Sequence, residues 1–332
     1  MLREPVAGLA GGAGLRATEP GCAAASCYIL AMAQAFKNVA IFGKPRVDGS
    51  RHSLTAALRQ IAGIVEAAGL QVMFDSATLE VLELQPYAGY ALQAIGRQAD
   101  VAIVLGGDGT MLGIARELSS FDVPLIGINH GRLGFITDIA VEQIPDVLPA
   151  MLGGQFETDR RTILEAEVRR RGEVIYRARA VNDVVISRGV SGGMVEFTVR
   201  VDGVTMYNQR ADGVILATPT GSTAYALSAN GPILHPSLGG LVLVPVAPQT
   251  LSHRPIALPD DRVIEFELTD VREASAHFDM QSFTELAPGD IVRARRSTDV
   301  VTLLHPIGYN YFATLRGKLQ WNVMPSDTNV RA

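Results

Sequence analysis

The chain has 332 residues, a length that favours two domains over a single core. Apolar residues make up 48% of it, charged residues 19%, and the formal net charge is −5, so the strongly basic surface that nucleic acid requires is excluded. Both cysteines precede residue 32, which excludes a disulfide framework and a cysteine nucleophile in the remaining chain. No apolar run reaches the roughly 18–20 residues of a membrane-spanning helix, so a membrane is not an expected partner.

The first residues differ in composition from the rest of the chain. Residues 1–31 are rich in Gly and Ala and have no clean helical or strand period. Their apolar stretch resembles the core of a signal peptide, but no strongly basic segment precedes it. We therefore expect residues 1–36 to be a disordered or non-native extension, with Met32 as the natural start and a cytoplasmic location. Secretion is the alternative.

Apolar strands alternate with helical stripes between residues 37 and 137. The pattern predicts strands at 39–42, 70–74, 101–105 and 123–128, and helices at 54–68 and 111–118. The uninterrupted apolar run at 101–105 is typical of a strand that is buried on both faces. This alternation predicts an α/β domain with a Rossmann-like parallel sheet over residues 37–137.

Strands follow strands in the next part of the chain. After a helix at 142–152, the pattern predicts strands at 164–168, 174–178, 184–187, 195–201, 214–217, 241–246, 263–268, 291–295 and 300–304. Few helices interrupt them, so residues 138–311 are expected to form a β-rich second domain. A last helix at 313–321, in a segment of about 312–325, is expected to pack back on the α/β domain.

A Gly-Gly-Asp-Gly-Thr loop follows the third expected strand and precedes a helix. The carboxyl ends of parallel strands are where open α/β sheets bind ligands. Backbone amides at Gly106, Gly107, Gly109 and Thr110, together with the helix N-terminus, suit a phosphate group. Asp108 places a carboxylate where the phosphate would lie, which is unfavourable unless a metal bridges the two or the carboxyl takes a proton. A structural Gly-Asp turn is the alternative.

Two further polar segments are candidates for binding sugar or phosphate. Asn182 and Asp183 precede an expected strand, and an amide beside a carboxylate can hold the two hydroxyls of a ribose, although a simple turn would look the same. Residues 218–223 read Thr-Pro-Thr-Gly-Ser-Thr and offer many small donors after an apolar strand. An ordinary Ser/Thr turn is the alternative for these residues, but the continuation Ala-Tyr-Ala-Leu-Ser is too distinctive for that.

The order of these three segments resembles the bacterial branch of the NAD kinase family, over about residues 38–321. Diacylglycerol-type lipid kinases and phosphofructokinases carry relatives of the first loop, whereas the Thr-Gly-Ser-Thr-Ala-Tyr run is highly specific. The resemblance implies transfer of the γ-phosphoryl group of ATP to the 2′-hydroxyl of the adenosine ribose of NAD, giving NADP and ADP. It also implies Mg²⁺ or another divalent metal that enters with ATP, and self-association as a dimer or tetramer. Polyphosphate in place of ATP, acceptance of NADH and feedback by NADP(H) are left open.

The resemblance also assigns roles to residues. Asp108 matches the proposed catalytic base; orienting the hydroxyl or holding the metal are its alternative roles. Gly193 departs from the family pattern, and no stable metal site of the protein is expected. Contacts with NAD are implied for Asp108, Gly109, Phe135, Asn182, Asp183, Arg210, Asp212, Thr223, Ala224, Tyr225, Ala226, Leu227, Ser228 and Gln281.

Two competing functions remain at this level. A lipid kinase could share the Gly-Gly-Asp-Gly-Thr loop, but it should carry a membrane-facing basic or amphipathic segment, and none is evident in the sequence. A non-catalytic dinucleotide sensor on the same scaffold should have lost Asp108 or the Asn182–Asp183 pair, and both are present. ATP would not be held by a P-loop, because no Gly-Lys-Ser/Thr motif occurs.

Overall fold

The computed structural model describes residues 36–44, 51–82, 84, 86–131, 134–190 and 193–321. The expectation for residues 1–36 therefore lies outside the described residues, except at its last position. The described residues belong to one compact unit, Ala35–Ala332. Among them, no helix is both long enough and apolar enough to cross a membrane.

The first half of the described chain is a parallel sheet with helices. Its strands are β1 (Asn38–Gly43), β2 (Gln71–Asp75), β3 (Gly89–Tyr90), β4 (Val101–Gly106), β5 (Leu125–Asn129) and β6 (Ile139–Ala140). Its helices are α1 (Arg51–Ala67), α2 (Ser76–Leu82), α3 (Leu92–Gln98), α4 (Asp108–Leu118) and α5 (Ile144–Leu152). The strand order is β5-β4-β1-β2-β3, and each neighbouring pair is parallel. Every residue of β4 is buried, as its apolar run predicts.

The second half is rich in strands. These are β7 (Phe156–Arg170), β8 (Glu173–Ala180), β9 (Asp183–Arg188), β10 (Val195–Val201), β11 (Val204–Ala211), β12 (Gly213–Ala217), β13 (Gly240–Val246), β14 (Ile256–Pro259), β15 (Ile264–Asp270), β16 (Ala274–Phe278), β17 (Ser282–Leu286) and β18 (Ile291–Pro306). A four-residue helix α6 (Tyr225–Ser228) follows β12, and α7 (Tyr311–Leu319) follows β18. The prediction of an α/β half followed by a β-rich half is confirmed.

One long strand joins the two halves. β18 pairs antiparallel with β15 and β7, and it pairs parallel with β5 at Leu303 and Leu125. The resulting sheet has 12 strands and runs through both halves. The prediction of two separate strands at 291–295 and 300–304 is wrong, because a register shift between Arg296 and Val300 bends one continuous strand instead of ending it.

A second sheet completes the β-rich half. It has six strands in the order β14-β13-β12-β9-β16-β17. Its buried side chains, such as Ile186 and Phe278, pack in the same apolar cluster as Phe197 and Phe266 of the larger sheet. The core of this half therefore lies between two sheets. Within the six-stranded sheet β9 and β12 pair antiparallel, with Asp183 opposite Ala217, so the start of β9 lies beside the end of β12. Several of the candidate site residues lie on the loops at these two strand ends.

Several elements differ from the sequence prediction. The helix expected from residue 111 begins at Asp108, so the carboxylate of the Gly-Gly-Asp-Gly-Thr loop lies in the first helical turn. The short helices α2 and α3 and the strands β11, β14, β16 and β17 were not predicted. β11, β14 and β17 expose much of their length, and β16 is a five-residue strand in which polar residues alternate with buried ones, so none of the four has a continuous apolar signal.

Candidate functional site

The Gly-Gly-Asp-Gly-Thr loop lies where β4 ends and α4 begins. Gly107 has an extended backbone and directly precedes the first helical residue, Asp108. None of the loop glycines has a positive φ. The absence of a side chain at Gly106 leaves room for Thr110, since a Cβ at residue 106 would lie 2.9 Å from the Thr110 side chain. The loop is therefore compact because its side chains are small.

Three donors hold the Asp108 carboxylate, and all three come from residues 134–138, here called the cradle loop. The backbone N–H of Phe135 donates to Oδ2 at 2.8 Å, and that of Ile136 donates to Oδ1 at 3.3 Å. The Thr137 hydroxyl donates to Oδ1 at 2.9 Å. A Cβ at Gly134 would overlap Oδ1, so only glycine fits beside the carboxylate. Since a carboxylate oxygen accepts about two hydrogen bonds, Oδ2 keeps capacity for one further donor.

The Asn182–Asp183 pair lies at the start of β9 and is held by an aspartate that sequence reasoning missed. Asp279 accepts the backbone N–H groups of Val181, Asn182 and Asp183 at 3.0, 2.7 and 3.2 Å. Burial, and then the neighbouring Asp279 charge, raise the pKa of Asp183 to about 7. Asp183 Oδ1 is buried and has no hydrogen-bond partner among the described residues. A buried acceptor without a partner is costly, which marks it as a place for a ligand hydroxyl.

Residues 278–281, here called the clamp turn, connect this pair to the Asp108 helix. Arg116 of α4 donates to Phe278 O at 3.3 Å and to Gln281 Oε1 at 2.7 Å. Gln281 Nε2 in turn donates to Gly109 O at 2.6 Å. The clamp turn thus links α4 to the start of β9, and Arg116 and Asp279 support the candidate site although no sequence motif indicated them.

Residues 218–223, here called the hydroxyl loop, abut the carbonyl group of Asn182. The N–H of Thr218 donates to Asn182 O at 2.9 Å, and a Cβ at Gly221 would overlap the same oxygen. The hydroxyls of Thr218, Ser222 and Thr223 donate to Val181 O, Pro219 O and Thr220 O. The expectation that this loop offers many donors to a ligand is therefore wrong for these three hydroxyls, because they hold the loop in shape.

A cleft of about 420 Å³ lies along β9, towards its end and the start of β12. Asp212 and Tyr225 line it together with part of β9 and the end of β13. The Asp212 carboxylate pairs with Arg188 at 2.9 Å, and Tyr225 is partly exposed. An exposed aromatic ring next to a charged rim suits a nucleotide, since the ring can stack on a base while charged groups contact the sugar or phosphates.

The remaining predicted residues have different environments. Phe135 is half-buried, and its ring lies 5.9 Å below the Lys318 ammonium of α7. Ala226 is fully buried in an apolar cluster, so its side chain contacts protein. Arg210 is exposed on β11 and does not line the cleft, although Asp212 does. Four predicted residues in or next to α6 are half-buried or exposed: Thr223, Ala224, Leu227 and Ser228. Gly193, on another segment, is exposed.

A larger cleft, of about 790 Å³, lies elsewhere on the surface. Arginines from α4, β7, β8 and β18 line it, together with Glu117, Glu165 and Glu167. Its arginines are already engaged: Arg169 pairs with Glu167 at 2.7 Å, and Arg295 pairs with Glu165 at 3.0 Å. Paired surface charges offer an anion less than their number suggests. The smaller cleft, which the predicted residues Asp212 and Tyr225 line, is therefore the better candidate for a ligand site.

Comparison with known proteins identifies the family of the chain. Two family models match the chain, the ATP-NAD kinase N-terminal domain over residues 39–156 and the ATP-NAD kinase C-terminal domain over residues 181–305. The NAD kinases of Cupriavidus pinatubonensis and Ralstonia nicotianae are each 52% identical over 294 residues, which is 89% of this chain and 95% and 96% of those proteins.

Solved structures are similar as well. A yeast NADH kinase complexed with NADH has a TM-score of 0.78 at 24% identity, covering 88% of this chain and 90% of that chain, and supports the fold. An NAD kinase from Archaeoglobus fulgidus in complex with ATP has a TM-score of 0.65 at 25% identity, covering 85% of this chain and 98% of that chain. Fold and site together define a nucleotide-binding phosphotransferase. The chain belongs to the ATP-NAD kinase family, as its three motifs predict.

Proposed function

We propose that the chain transfers the γ-phosphoryl group of ATP to the 2′-hydroxyl of the adenosine ribose of NAD, giving NADP and ADP. The single observation that carries this proposal is the pair of carboxylates joined by the clamp turn. Asp108 is fixed by three donors, and Asp183 has a buried oxygen without a partner. Two relatives named NAD kinase at 52% identity and a neighbour complexed with ATP support the same substrates.

Asp108 has the geometry of a group that orients an attacking hydroxyl and accepts its proton. Its carboxylate is held by donors from residues 135–137, while Oδ2 keeps acceptor capacity. Phosphoryl transfers have loose transition states, so catalysis rests mainly on positioning and charge neutralisation. General-base assistance adds about 10²–10⁴ in rate, which is the contribution we assign to this carboxylate.

The remaining contacts with NAD follow from placement. We assign the ribose hydroxyls to Asn182 and Asp183, because the Asp183 oxygen needs a donor. We assign the adenine ring of NAD to the neighbourhood of Tyr225 and Phe135, whose aromatic rings are partly exposed. Further contacts are proposed at Gly109, Arg210, Asp212, Thr223, Ala224, Ala226, Leu227, Ser228 and Gln281, with Gly106, Gly107 and Thr110 beside the phosphates.

The divalent metal is proposed to arrive with the nucleotide. Within the described part of the chain, no group of three or more His, Cys, Asp or Glu side chains could hold a metal ion. As the resemblance implies, we propose that Mg²⁺ enters as part of the MgATP substrate, bound mainly by phosphate oxygens and water. Self-association as a dimer or tetramer, a cytoplasmic location, use of polyphosphate and the division into domains 37–137 and 138–311 stay predictions.

One assay tests the proposal. Purified protein is incubated with NAD, Mg²⁺ and either ATP or polyphosphate, and NADP is detected with an NADP-specific dehydrogenase. NADP formed with ATP supports the proposal, and the polyphosphate reaction identifies the donor. Phosphorylation of diacylglycerol vesicles without NADP formation would favour the lipid kinase. Tight NAD binding without turnover of either donor would favour the dinucleotide sensor.

A further inference from the structure

A buried ionic cluster lies between the two loops that surround the site. His305 is at the end of β18 and its side chain is 1% exposed. Its Nδ1 lies 2.9 Å from Asp138 Oδ2, and its Nε2 lies 3.6 Å from Asp159 Oδ2, which is ion-pair distance. The imidazole also stacks on the Tyr309 ring with centroids 3.9 Å apart. Both ring nitrogens therefore face carboxylates, Nδ1 at hydrogen-bond distance and Nε2 at ion-pair distance without a hydrogen bond among the described residues.

This arrangement favours an imidazolium. A neutral imidazole has one N–H and one lone pair, so one carboxylate would face a lone pair, whereas the imidazolium has a donor on each side. Burial lowers the pKa of His305, but the Asp138 and Asp159 carboxylates together raise it above its ordinary value. Arg161 completes the cluster, so two carboxylates are balanced by two cations.

Each of the two carboxylates beside the imidazolium connects it to a loop of the candidate site, Asp138 to the cradle loop and Asp159 to the hydroxyl loop. Asp138 directly follows Thr137, whose hydroxyl holds Asp108. On the other side, Asp159 accepts a hydrogen bond from Arg161 Nε at 2.7 Å. Arg161 Nη1 then donates to the Thr220 hydroxyl at 3.2 Å, in the middle of the hydroxyl loop.

We infer that His305 is a positioning residue: as a buried cation it holds the cradle loop in register with the hydroxyl loop, through Asp138 and Asp159. This inference rests on the proposed function. Removing charged groups from water is expensive, and a buried ion pair is often no more stable than apolar packing of the same volume. The cluster instead fixes the relative position of the two loops, because hydrogen bonds and ion pairs restrict angles and distances more than apolar contacts do. A displacement of about 1 Å at a reacting group can cost about a hundredfold in rate.

An adjoining cavity gives the cluster access to water. It measures about 240 Å³ and is lined by His235, Tyr309 and Tyr311, among others. The hydroxyls of both tyrosines and Asp138 Oδ1 are buried without hydrogen-bond partners among the described residues. A polar cavity of this size accommodates ordered water, which can satisfy these groups. His235 lines the same cavity but is exposed; it hydrogen-bonds to nearby Ser237 and contacts the rings of Tyr311 and Phe312, none of which belongs to the ionic cluster, so it serves as a matched control.

The test compares His305→Gln, Asp138→Asn and the control His235→Gln. Glutamine loses the charge and carries its donors on a single nitrogen, so it cannot donate in two opposite directions as the two ring nitrogens of an imidazolium do. We expect kcat to fall at least about tenfold in His305→Gln and Asp138→Asn, while the Kd for NAD changes less than about threefold. The double variant should lose no more than His305→Gln alone, because both residues act through one contact. His235→Gln should match the wild type.

Hydrogen exchange provides a readout that needs no turnover. Backbone amides of the cradle loop and of the hydroxyl loop should both exchange faster in His305→Gln than in wild type, at a temperature where both proteins are folded. If wild type made no NADP, the proposed function would fail, but this exchange pattern would still decide the inference. Unchanged exchange in either loop, kcat within about twofold of wild type, or additive losses in the double variant would overturn it.

The pH profile gives an independent check. The charged groups around the imidazole are Asp138 of the cradle loop, Asp159 and Arg161 of β7, and Tyr309 after β18. Because the inferred positioning depends on the protonated His305, kcat should decline as pH rises through the raised pKa of His305. This alkaline decline should disappear in His305→Gln, which has no titrating group. The same decline of kcat at high pH in wild type and in His305→Gln would contradict the inference.

Discussion

Gly134 lies so close to Asp108 that a Cβ on the glycine would overlap the carboxylate oxygen Oδ1. Gly134→Ala should therefore displace Asp108 and reduce kcat at least about tenfold, with a smaller effect on NAD affinity, since a misplaced reacting group costs rate. Steady-state kinetics and calorimetric titration with NAD measure the two effects. Gly63→Ala is the control, because a Cβ there meets nothing within 4 Å. Equal kcat in wild type and Gly134→Ala would mean that the Asp108 position does not matter.

Asp108 itself is tested by Asp108→Asn. The amide keeps the shape of the carboxylate, but its NH₂ group would face one of the three donors from residues 135–137. It is also far less basic than a carboxylate, so turnover should fall at least about a hundredfold with little loss of NAD binding. Single-turnover kinetics and NAD titration report the two effects separately. Turnover within about tenfold of wild type would rule out both the base and the orienting role.

The contact between Gly221 and Asn182 predicts an effect on binding. A methyl group at residue 221 would overlap the Asn182 carbonyl and displace the residues assigned to the ribose. We expect Gly221→Ala to weaken NAD binding by about tenfold or more, corresponding to about 1.4 kcal/mol. Gly317→Ala in α7 is the matched control, since its Cβ would meet nothing within 4 Å. Unchanged NAD affinity in Gly221→Ala would separate the hydroxyl loop from the ribose site.

The raised pKa of Asp183 predicts how stability depends on pH. Burial and Asp279 shift the pKa of Asp183 from 3.8 to about 7, so the folded protein holds this proton more tightly than the unfolded chain does. Stability should therefore fall as pH rises from about 4 to about 7, by an amount on the order of a few kcal/mol, and then level off. NAD should oppose the loss if a ribose hydroxyl satisfies the carboxylate.

Urea unfolding of wild type and Asp183→Asn at pH 5 and pH 8 checks this prediction. The neutral amide removes the titration, so the variant should lose less stability between the two pH values than wild type. Asp270→Asn, at an exposed position, should behave as wild type does. The same pH dependence in wild type and Asp183→Asn would show that Asp183 does not titrate in this range.

Prediction from the sequence was most successful where a single periodic signal was enough. The strands β1, β2, β4 and β5 are continuous apolar runs, and burial on both faces of a parallel sheet demands such runs. β16 and β17 carry alternating polar residues and are short, so neighbouring strands rather than their own composition define them. The same dependence on neighbouring strands explains why the sequence predicted two strands, at 291–295 and 300–304, where β18 continues through a register shift.

The candidate site divides in a similar way. Asp108, Asn182 and the hydroxyl loop lie in motifs that sequence alone can identify, because their chemistry depends on residues adjacent in the chain. Asp279 and Arg116 were missed, since their roles arise from hydrogen bonds across 97 and 165 residues of sequence. The hydroxyl groups of the loop were assigned to a ligand, but three of them are taken up by carbonyls that come close only in the folded chain.

The sequence by itself determined the order of the two halves, the family and the position of the reactive carboxylate, because apolar periodicity and short motifs are local properties of the chain. Only the tertiary structure decided how that carboxylate is held, which aspartate supports the Asn182–Asp183 pair, and how His305 lies between the two loops. These are contacts between segments far apart in sequence, and their geometry depends on how the sheets pack. No local pattern encodes that distance information.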